Sequence, residues 1–218
     1  MDKATLRLGE VTAVVLCGGR GQRMGGADKG LQPFRGMPLA RWALQRIAPQ
    51  VDGCLINANR NQEVYAQWGE PVLSDRSDLG AFAGPLAGVL TALEACPTPF
   101  LVTVPCDTPL FPPDLVARLG EAMATENADI ALAIGLDEDG MLRPQPVFSL
   151  MRTSLAADLL RYLQSGSRKV DTWMERHTLA RVAFDASGDD PHAFYNANTP
   201  TELQKLEALA AHALRSTR

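Results

Sequence analysis

The sequence predicts an α/β fold, in the form of a single three-layer domain with a mostly parallel, twisted sheet and helices on both of its faces. Short apolar runs rich in β-branched residues end at glycine, asparagine or proline, as buried parallel strands do. Amphipathic stretches of helical period separate these runs, and this alternation is typical of right-handed βαβ units. Neither an internal repeat nor a flexible linker divides the 218 residues. We therefore expect one domain over residues 1–218.

Five segments have the composition of strands. Val11–Cys17 reads VTAVVLC and stops at two glycines, so it is the clearest of them. The other four predicted strands are Cys54–Ala58, Phe100–Pro105, Asp129–Ile134 and Pro146–Leu150.

Four segments between and after these strands predict helices, namely Gly84–Cys96, Pro113–Ala124, Ser154–Gln164 and Pro200–Leu214. The first places leucine and valine at i, i+3, i+4 and i+7, which forms one apolar face. The last is preceded by Thr199 and contains Glu202, the spacing of a capping box, with proline at the first helical position. The polar stretch Gly135–Pro146 predicts a loop or the edge of a minor subdomain.

Composition and charge limit the possible partners. The chain is 46% hydrophobic and 21% charged, which is ordinary for a globular protein of this size. Its formal net charge of −4 argues against a nucleic-acid binder, because phosphate backbones select basic surfaces. A few local cations can still bind a small polyphosphate, so the net charge does not argue against a phosphate-binding pocket.

Cysteine usage and the N-terminal segment indicate a cytoplasmic protein without a membrane partner. The four cysteines are far apart in sequence and form no C-x-x-C pair, which argues against a zinc framework and a secreted disulfide scaffold. The first ten residues lack the apolar region of a signal peptide, and no stretch has the length of a bilayer span.

A glycine-rich segment follows the first strand, LCGGRGQRMGGADKG over residues 16–30. Its glycines let backbone N–H groups approach an anion, and Arg20, Arg23 and Lys29 add positive charge. The segment is not a P-loop, because Lys29 follows an aspartate, and Met24 stands where G-x-G-x-x-G needs its last glycine. At the carboxyl end of a parallel strand, it predicts a phosphate site. The alternative is a basic surface turn.

Asp107 follows the predicted strand Phe100–Pro105 within the motif PCDTP. We expect its carboxylate at the same edge of the sheet as the glycine-rich segment. Mg²⁺ takes one or two carboxylates together with phosphate oxygens and water, so Asp107 is a candidate ligand for Mg²⁺. The alternative is an aspartate that caps a turn.

Five motifs in order resemble the molybdenum cofactor guanylyltransferases: LCGGRGQRMGGADKG, then NANR, GPLAG, PCDTP and NANTPTEL. The resemblance extends from Val11 to about Leu206, and the first motif is the most specific. It implies transfer of GMP from GTP to the phosphate of molybdenum-bound molybdopterin, with release of pyrophosphate and use of Mg²⁺. It also implies a Rossmann-like nucleotide-binding half at about residues 11–110 and a pterin-acceptor half at about 111–210.

The resemblance assigns site residues by motif. Arg23, Lys29 and Asp107 correspond to catalytic residues, and Asp107 to the magnesium ligand. The residues implied for nucleotide binding are Leu16, Cys17, Gly18, Gly19, Lys29, Asn57, Asp75, Gly84, Gly88 and Asp107. Those implied for the pterin side are Arg168, Lys169, Asn196 and Asn198. GTP and molybdenum-molybdopterin are the implied substrates; cofactor-assembly proteins and molybdoenzyme chaperones are further expected partners, and we expect a monomer.

Two departures from the family pattern stand out. Cys17 replaces the usual alanine, a change between small residues that we expect to be harmless, and residues 135–145 match no motif. Related cytidylyltransferases have L-A-A-G where this chain has L-C-G-G. Gly18 leaves more room beneath the base, which favours guanine over cytosine in this comparison.

Each assignment has a simpler structural alternative. Asn57 could only end a strand, Asp75 could be a solvated carboxylate, and Arg168-Lys169 could be a solvated pair. Asn196 and Asn198 could only form a turn before the last helix. The three histidines, His177, His192 and His212, match no triad or metal spacing.

Other functions stay open at the level of sequence. The alternative enzymes are a cytidylyltransferase acting on the same pterin and a nucleotidyltransferase for sugars or other small phosphates. The alternative of another class is a non-catalytic carrier of the pterin, which would have no need of a magnesium carboxylate.

Overall fold

A seven-stranded sheet organises the computed structural model, which describes residues 10–18, 28–80, 84–137 and 139–216. In chain order its strands are β1 (Val11–Leu16), β4 (Gly53–Asn57), β5 (Val72–Leu73), β6 (Phe100–Pro105), β7 (Ile130–Leu136), β8 (Leu142–Arg152) and β9 (Leu179–Ala183). β2 (Pro33–Phe34) and β3 (Met37–Pro38) form a separate small hairpin. The spatial order is β5-β4-β1-β6-β8-β7-β9, and only β8 runs antiparallel to its neighbours. The prediction of a mostly parallel sheet is confirmed.

Helices cover both faces of this sheet. They are α1 (Leu39–Ile47), α2 (Gln62–Ala66), α3 (Pro85–Ala95), α4 (Leu115–Glu126), α5 (Ala156–Gln164), α6 (Val170–Met174) and α7 (Pro200–Ser216). Residues Ala13 and Val15 of β1 pack with α1, α2 and α4, whereas Val14 and Leu16 pack with α3, α5 and α6. This alternation of a fully buried strand produces the predicted three layers. Within the described residues, no helix has the length and apolar character needed to cross a membrane.

The last helix packs against the small hairpin near the start of the chain. Leu203 and Leu206 of α7 share an apolar cluster with Phe34 of β2 and Leu39 of α1. The predicted capping box is present, since the backbone N–H of Glu202 donates to the Thr199 hydroxyl at 3.2 Å and the Thr199 N–H donates to the Glu202 carboxylate at 3.1 Å. The turn before α7 is therefore held in one place.

The expectation of a loop at Gly135–Pro146 is wrong. These residues form a hairpin, because β7 extends to Leu136 and β8 begins at Leu142. The backbone N–H of Gly140 donates to the Asp137 carbonyl at 2.8 Å, and Gly140 adopts a φ of 75°, which favours glycine. The polar composition reflects exposure of the hairpin end rather than irregular structure.

The sequence interpretation also missed α1, although α1 has a clear helical signal. Its buried residues Ala40, Ala43, Leu44 and Ile47 recur at i, i+3, i+4 and i+7. Short elements, namely β5, β9, α2 and α6, were missed as well. Segments of two to five residues are too short for periodicity to be recognised.

Candidate active site

The carboxyl ends of β1, β4 and β6 open onto a cavity of about 810 Å³. Crevices at this edge of parallel sheets are the usual ligand sites. The cavity is lined by eight of the residues expected to bind nucleotide: Leu16, Gly18, Lys29, Asn57, Asp75, Gly84, Gly88 and Asp107. The side chain of Cys17 packs instead into the apolar core beneath it. Gly19 and Arg23 lie outside the described residues.

Lys29 and Asp107 form an ion pair at one end of the cavity. The Lys29 ammonium donates to Oδ2 of Asp107 and, at 2.6 Å, to Oδ1 of Asn198. Both charged side chains are about one-fifth exposed, 21% for Lys29 and 19% for Asp107. Partial removal from water strengthens such a pair relative to a surface salt bridge. The predicted proximity of the glycine-rich segment and Asp107 is thus observed through Lys29.

The turn at residues 196–198 is bonded to the loop that carries Asp107. The backbone N–H of Ala197 donates to the Asp107 carbonyl at 2.8 Å. The Thr108 hydroxyl donates to Oδ1 of Asn196 at 2.5 Å and lies 3.3 Å from Oδ1 of Asp107. Asn196 and Asn198 therefore do more than form a turn, because their amide oxygens bind the groups around Asp107.

A second polar cluster lies toward the β4–β5 edge of the cavity. Both oxygens of the Asp75 carboxylate accept hydrogen bonds, from Nδ2 of Asn57 at 2.9 Å and from Nδ2 of Asn59 at 2.8 Å. The backbone N–H of Asp75 donates back to Oδ1 of Asn59 at 2.8 Å. Asp75 is therefore an organised carboxylate and not a loosely solvated one. Asn59 was not among the predicted site residues, although its place in the NANR motif was a usable signal.

The two clusters are separated by two to three strand spacings, because Asp107 follows β6, Asn57 ends β4 and Asp75 follows β5 in the order β5-β4-β1-β6. At about 4.8 Å per spacing, that is roughly 10–14 Å. One end of the cavity thus offers a cation and a carboxylate, and the other offers amide and carboxylate groups. This arrangement suits a ligand that has phosphates at one end and a hydrogen-bonding ring at the other.

Gly88 allows helix α3 to approach Asn57 closely. A Cβ atom on Gly88 would lie 2.3 Å from Oδ1 of Asn57 and 3.1 Å from Cδ2 of Leu16, so no larger residue fits without movement. Gly84, which precedes the helix, has a φ of 80°. The glycines of the GPLAG motif therefore serve backbone conformation and close packing at the wall of the cavity.

A smaller cavity of about 250 Å³ adjoins the ion pair, because Asn198 lines this cavity and also accepts a hydrogen bond from Lys29. Its walls come from the β7–β8 hairpin and the segment before α7: Asp137, Arg143, Pro144, Gln145, Phe194, Tyr195, Asn196 and Asn198. The residues 135–145 that match no motif therefore contribute to a cavity beside the candidate phosphate site.

Comparison with known proteins places the chain in a family. The family model described as "MobA-like NTP transferase domain" matches residues 13–182. The chain belongs to this family. A molybdenum cofactor guanylyltransferase from Acidovorax ebreus is 57% identical over 205 residues, covering 92% of this chain and 96% of that protein. One from Cupriavidus necator is 51% identical over 198 residues, covering 91% and 96%. The predicted resemblance to the molybdenum cofactor guanylyltransferases is confirmed.

A solved structure shares the fold of this chain. The molybdopterin-guanine dinucleotide biosynthesis protein A from Archaeoglobus fulgidus superposes with a TM-score of 0.74 at 22% identity, covering 92% of this chain and 99% of that one. The two proteins therefore share the open α/β sheet described above.

Arg168 and Lys169 lie in the turn between α5 and α6 of this MobA-like chain. The Arg168 guanidinium donates to the carbonyls of Leu163 at 2.6 Å, Ser167 at 2.7 Å and Leu79 at 3.3 Å. Lys169 is exposed. Neither residue lines the 810 Å³ or the 250 Å³ cavity, and the structure does not place Arg168 beside Asn196 or Asn198. The observed contacts of Arg168 connect the end of α5 and the turn after it to the carbonyl of Leu79.

The surroundings of Cys106, beside the cavity, and of Cys54, in β4, disfavour their thiolate forms. A hydrogen bond with Cys17, together with burial, raises the pKa of the Cys106 thiol well above its ordinary value. Burial raises the pKa of Cys54 to about 12. These thiols stay protonated at neutral pH, so covalent catalysis through them is disfavoured.

The donor set around Asp107 fits a magnesium ion. Among the described residues, no group of three His, Cys, Asp or Glu side chains could enclose a metal. Mg²⁺ does not require such a group, since one carboxylate with phosphate oxygens and water is a usual environment for it. A single carboxylate in a cavity large enough for a polyphosphate meets that requirement.

Proposed function

We propose that this protein transfers GMP from GTP to the phosphate of molybdenum-molybdopterin, forming molybdopterin guanine dinucleotide and pyrophosphate. The observation that carries the proposal is the 810 Å³ cavity, with the Lys29–Asp107 pair at one end and the Asn57–Asp75 cluster at the other. The names of relatives up to 57% identical over most of the chain support the same reaction.

The Asn57–Asp75 cluster is suited to guanine. Each carboxylate oxygen of Asp75 accepts one amide hydrogen bond and has lone pairs for another. Guanine presents an amino group that donates hydrogen bonds, and a carboxylate oxygen accepts them. Gly18 also lines the cavity, and a Cβ atom there would make an ordinary contact with Oδ1 of Asn57, at 3.7 Å. The space that the missing side chain leaves therefore lies on the Asn57 side of the cavity.

At the other end of the cavity, the transfer needs charge neutralisation and alignment. An oxygen of the incoming phosphate attacks the α-phosphorus of GTP, and the bond to the bridging oxygen of pyrophosphate breaks with its electron pair. The attacking phosphate is already an anion, so no general base is needed. Lys29 donates to phosphate oxygens as charge develops, and Arg23 is proposed for the same role. Asp107 would hold Mg²⁺, which when bound offsets the charge of the phosphates.

We place the acceptor beyond the Lys29–Asp107 pair, in the 250 Å³ cavity. Asn196 and Asn198 line this cavity and are bonded to Thr108 and Lys29 beside the reaction centre. Residues 11–110 would then serve the nucleotide and residues 111–210 the pterin. Arg168 and Lys169 stay in this proposal on the family resemblance alone. A monomer, a cytoplasmic location and transfer of the pterin from assembly proteins also stay predictions from sequence.

Nucleotide binding tests the proposal without the unstable pterin. In calorimetry with Mg²⁺, GTP should bind more tightly than CTP or ATP, because Asp75 favours the donors of guanine. Lys29→Ala should weaken GTP binding by about tenfold or more, as expected for loss of one charged contact to phosphate. Lys205→Ala, an exposed lysine on α7, is the matched control and should bind GTP as the wild type does.

Three other results would contradict the proposal in different ways. A preference for CTP would favour the cytidylyltransferase. Equal binding by the Lys29→Ala variant would remove the lysine from the phosphate site. Lack of any nucleotide binding would favour the non-catalytic carrier of the pterin.

A further inference from the structure

We propose that Asp28 is a positioning residue for Lys29 and that Tyr65 and Asn61 hold it in place. The inference rests on the proposed function, because it takes Lys29 to be a ligand of the nucleotide phosphates. It gives α2, which lines neither cavity, a role in the site.

The Asp28 carboxylate receives three hydrogen bonds. Its Oδ1 accepts from the Tyr65 hydroxyl at 2.8 Å and from the backbone N–H of Gly30 at 3.1 Å, and its Oδ2 accepts from Nδ2 of Asn61 at 2.9 Å. Both oxygens are used, and two of the donors come from the segment that follows β4. Such a carboxylate has little freedom to turn.

The contact with Gly30 connects this carboxylate to Lys29. Residues Lys29–Leu31 form a short 3-10 turn, and Asp28 is its N-cap. An N-cap side chain fixes the first residues of a turn by binding an N–H that has no other partner. The backbone direction at Lys29 is thereby set, and from there its ammonium reaches Asp107 and Asn198.

The surroundings of Tyr65 fix its hydroxyl as a hydrogen-bond donor to Asp28. Its side chain is fully buried, and its ring packs edge-on against Trp68 with centroids 5.0 Å apart. Burial raises the pKa of the Tyr65 hydroxyl, so the group stays a donor. A Cβ atom on Gly30 would lie 2.5 Å from this hydroxyl, so glycine at position 30 is what allows the two to meet.

The end of β4 and the segment after it therefore support both ends of the 810 Å³ cavity. Asn57 and Asn59 belong to the cluster at Asp75, and Asn61 and Tyr65 hold the residue before Lys29. Asn61 adopts a φ of 50° at the start of α2, which asparagine tolerates better than most residues.

A pair of matched tyrosine variants separates positioning from stability. Tyr65→Phe and Tyr162→Phe each remove one buried hydroxyl that donates a hydrogen bond, since the Tyr162 hydroxyl donates to the Lys169 carbonyl at 2.9 Å. Both should lower the melting temperature by a similar few degrees. We expect Tyr65→Phe to weaken GTP binding with Mg²⁺ about fivefold or more, and Tyr162→Phe to leave the Kd for GTP within twofold of the wild type.

A double-mutant cycle shows whether Tyr65 acts through Lys29. In the Lys29→Ala background, Tyr65→Phe should leave the Kd for GTP unchanged, because the group that it positions is gone. A residue that only stabilises the fold would have the same effect in both backgrounds.

Exchanging the side chains of Asp28 and Asn61 provides a test in which GTP binding is first lost and then restored. Asn61→Asp alone sets two carboxylates against each other and should weaken GTP binding. The double variant Asp28→Asn, Asn61→Asp restores a donor opposite an acceptor and should recover most of the affinity.

Failure of the inference can be told apart from failure of the proposed function. If wild-type protein does not bind GTP, the proposed function is wrong and the inference falls with it. If the wild type binds GTP but Tyr65→Phe behaves as Tyr162→Phe does, the inference alone is wrong. Equal effects of Tyr65→Phe with and without Lys29, or no recovery in the double variant, would overturn it as well.

Discussion

The ammonium of Lys29 connects two segments that are far apart in the sequence. It binds Asp107, which follows β6, and Asn198, which precedes α7. The meeting of Lys29 and Asp107 could be predicted, since both follow neighbouring parallel strands and share one edge of the sheet. The contact with Asn198 could not, because it depends on how residues 169 positions later pack against the start of the chain.

The contacts of Asn57, at the other end of the cavity, could likewise be predicted only in part from the sequence. Its position at the end of β4 was visible in the sequence, but its bond to Asp75 depends on the packing of β5 beside β4. The three residues around Asp28 were also hidden, because a tyrosine hydroxyl that binds a carboxylate leaves no periodic signal.

Gly88 offers a test of the Asn57–Asp75 cluster. Gly88→Ala should displace the Asn57 amide, because the new Cβ would lie 2.3 Å from Oδ1 of Asn57, and GTP binding should weaken by about fivefold or more. The measurement is calorimetry with GTP and Mg²⁺. Gly53→Ala, at the opposite end of β4 with nothing within 4 Å, is the control and should bind normally. Unchanged affinity in Gly88→Ala would separate Asn57 from base binding.

At the scale of elements, the β7–β8 hairpin shows why one assignment from sequence failed. Residues 135–146 are polar and rich in turn formers, which is typical of a loop, yet β7 and β8 stay paired as far as Leu136 and its partner Leu142. Pairing is set by the partner strand and not by local composition. The buried strands β1 and β6 were predictable, since short continuous apolar runs are typical of parallel strands that are buried on both faces.

The contact of α4 with the segment after β9 predicts a pH dependence of stability. The Arg118 guanidinium donates to Oδ1 of Asp189 at 2.7 Å and lies over the ring of Phe184, 3.9 Å from its centroid. The hydrogen bond with Arg118 lowers the pKa of the Asp189 carboxyl in the folded protein. Because the carboxyl has a lower pKa in the folded protein, its ionised form stabilises the fold at pH values above the unfolded pKa of about 3.9. This contribution is lost as the pH falls through the folded pKa.

Asp189→Asn should therefore reduce the free energy of unfolding by about 1–2 kcal/mol at pH 7, and the difference from wild type should shrink below about pH 4. Urea unfolding at a series of pH values measures it. Asp139→Asn removes a half-exposed carboxylate bonded to Arg143 and should have a much smaller effect, because solvent screens that pair. An Asp189→Asn difference that is constant with pH would contradict this account.

On the scale of the whole molecule, the end of the described chain completes a site begun near its start. The apolar cluster of α7 with β2 and α1 places the turn at 196–198 against the Asp107 loop. The chain carries a net charge of −4, so the few cations near the cavity stand out against an acidic background. Local placement of charge, not the overall balance, determines whether a polyphosphate can bind.

The transfer reaction itself tests the central claim most directly. Wild-type protein is incubated with Mg²⁺, molybdenum-molybdopterin and GTP labelled at the α-phosphate, and the label in molybdopterin guanine dinucleotide is measured together with pyrophosphate. We predict one labelled product for each pyrophosphate released. We also predict losses of roughly a hundredfold or more in Lys29→Ala and Asp107→Ala, with circular dichroism showing that both variants stay folded. No transfer of label from GTP, or full activity in either folded variant, would contradict the account.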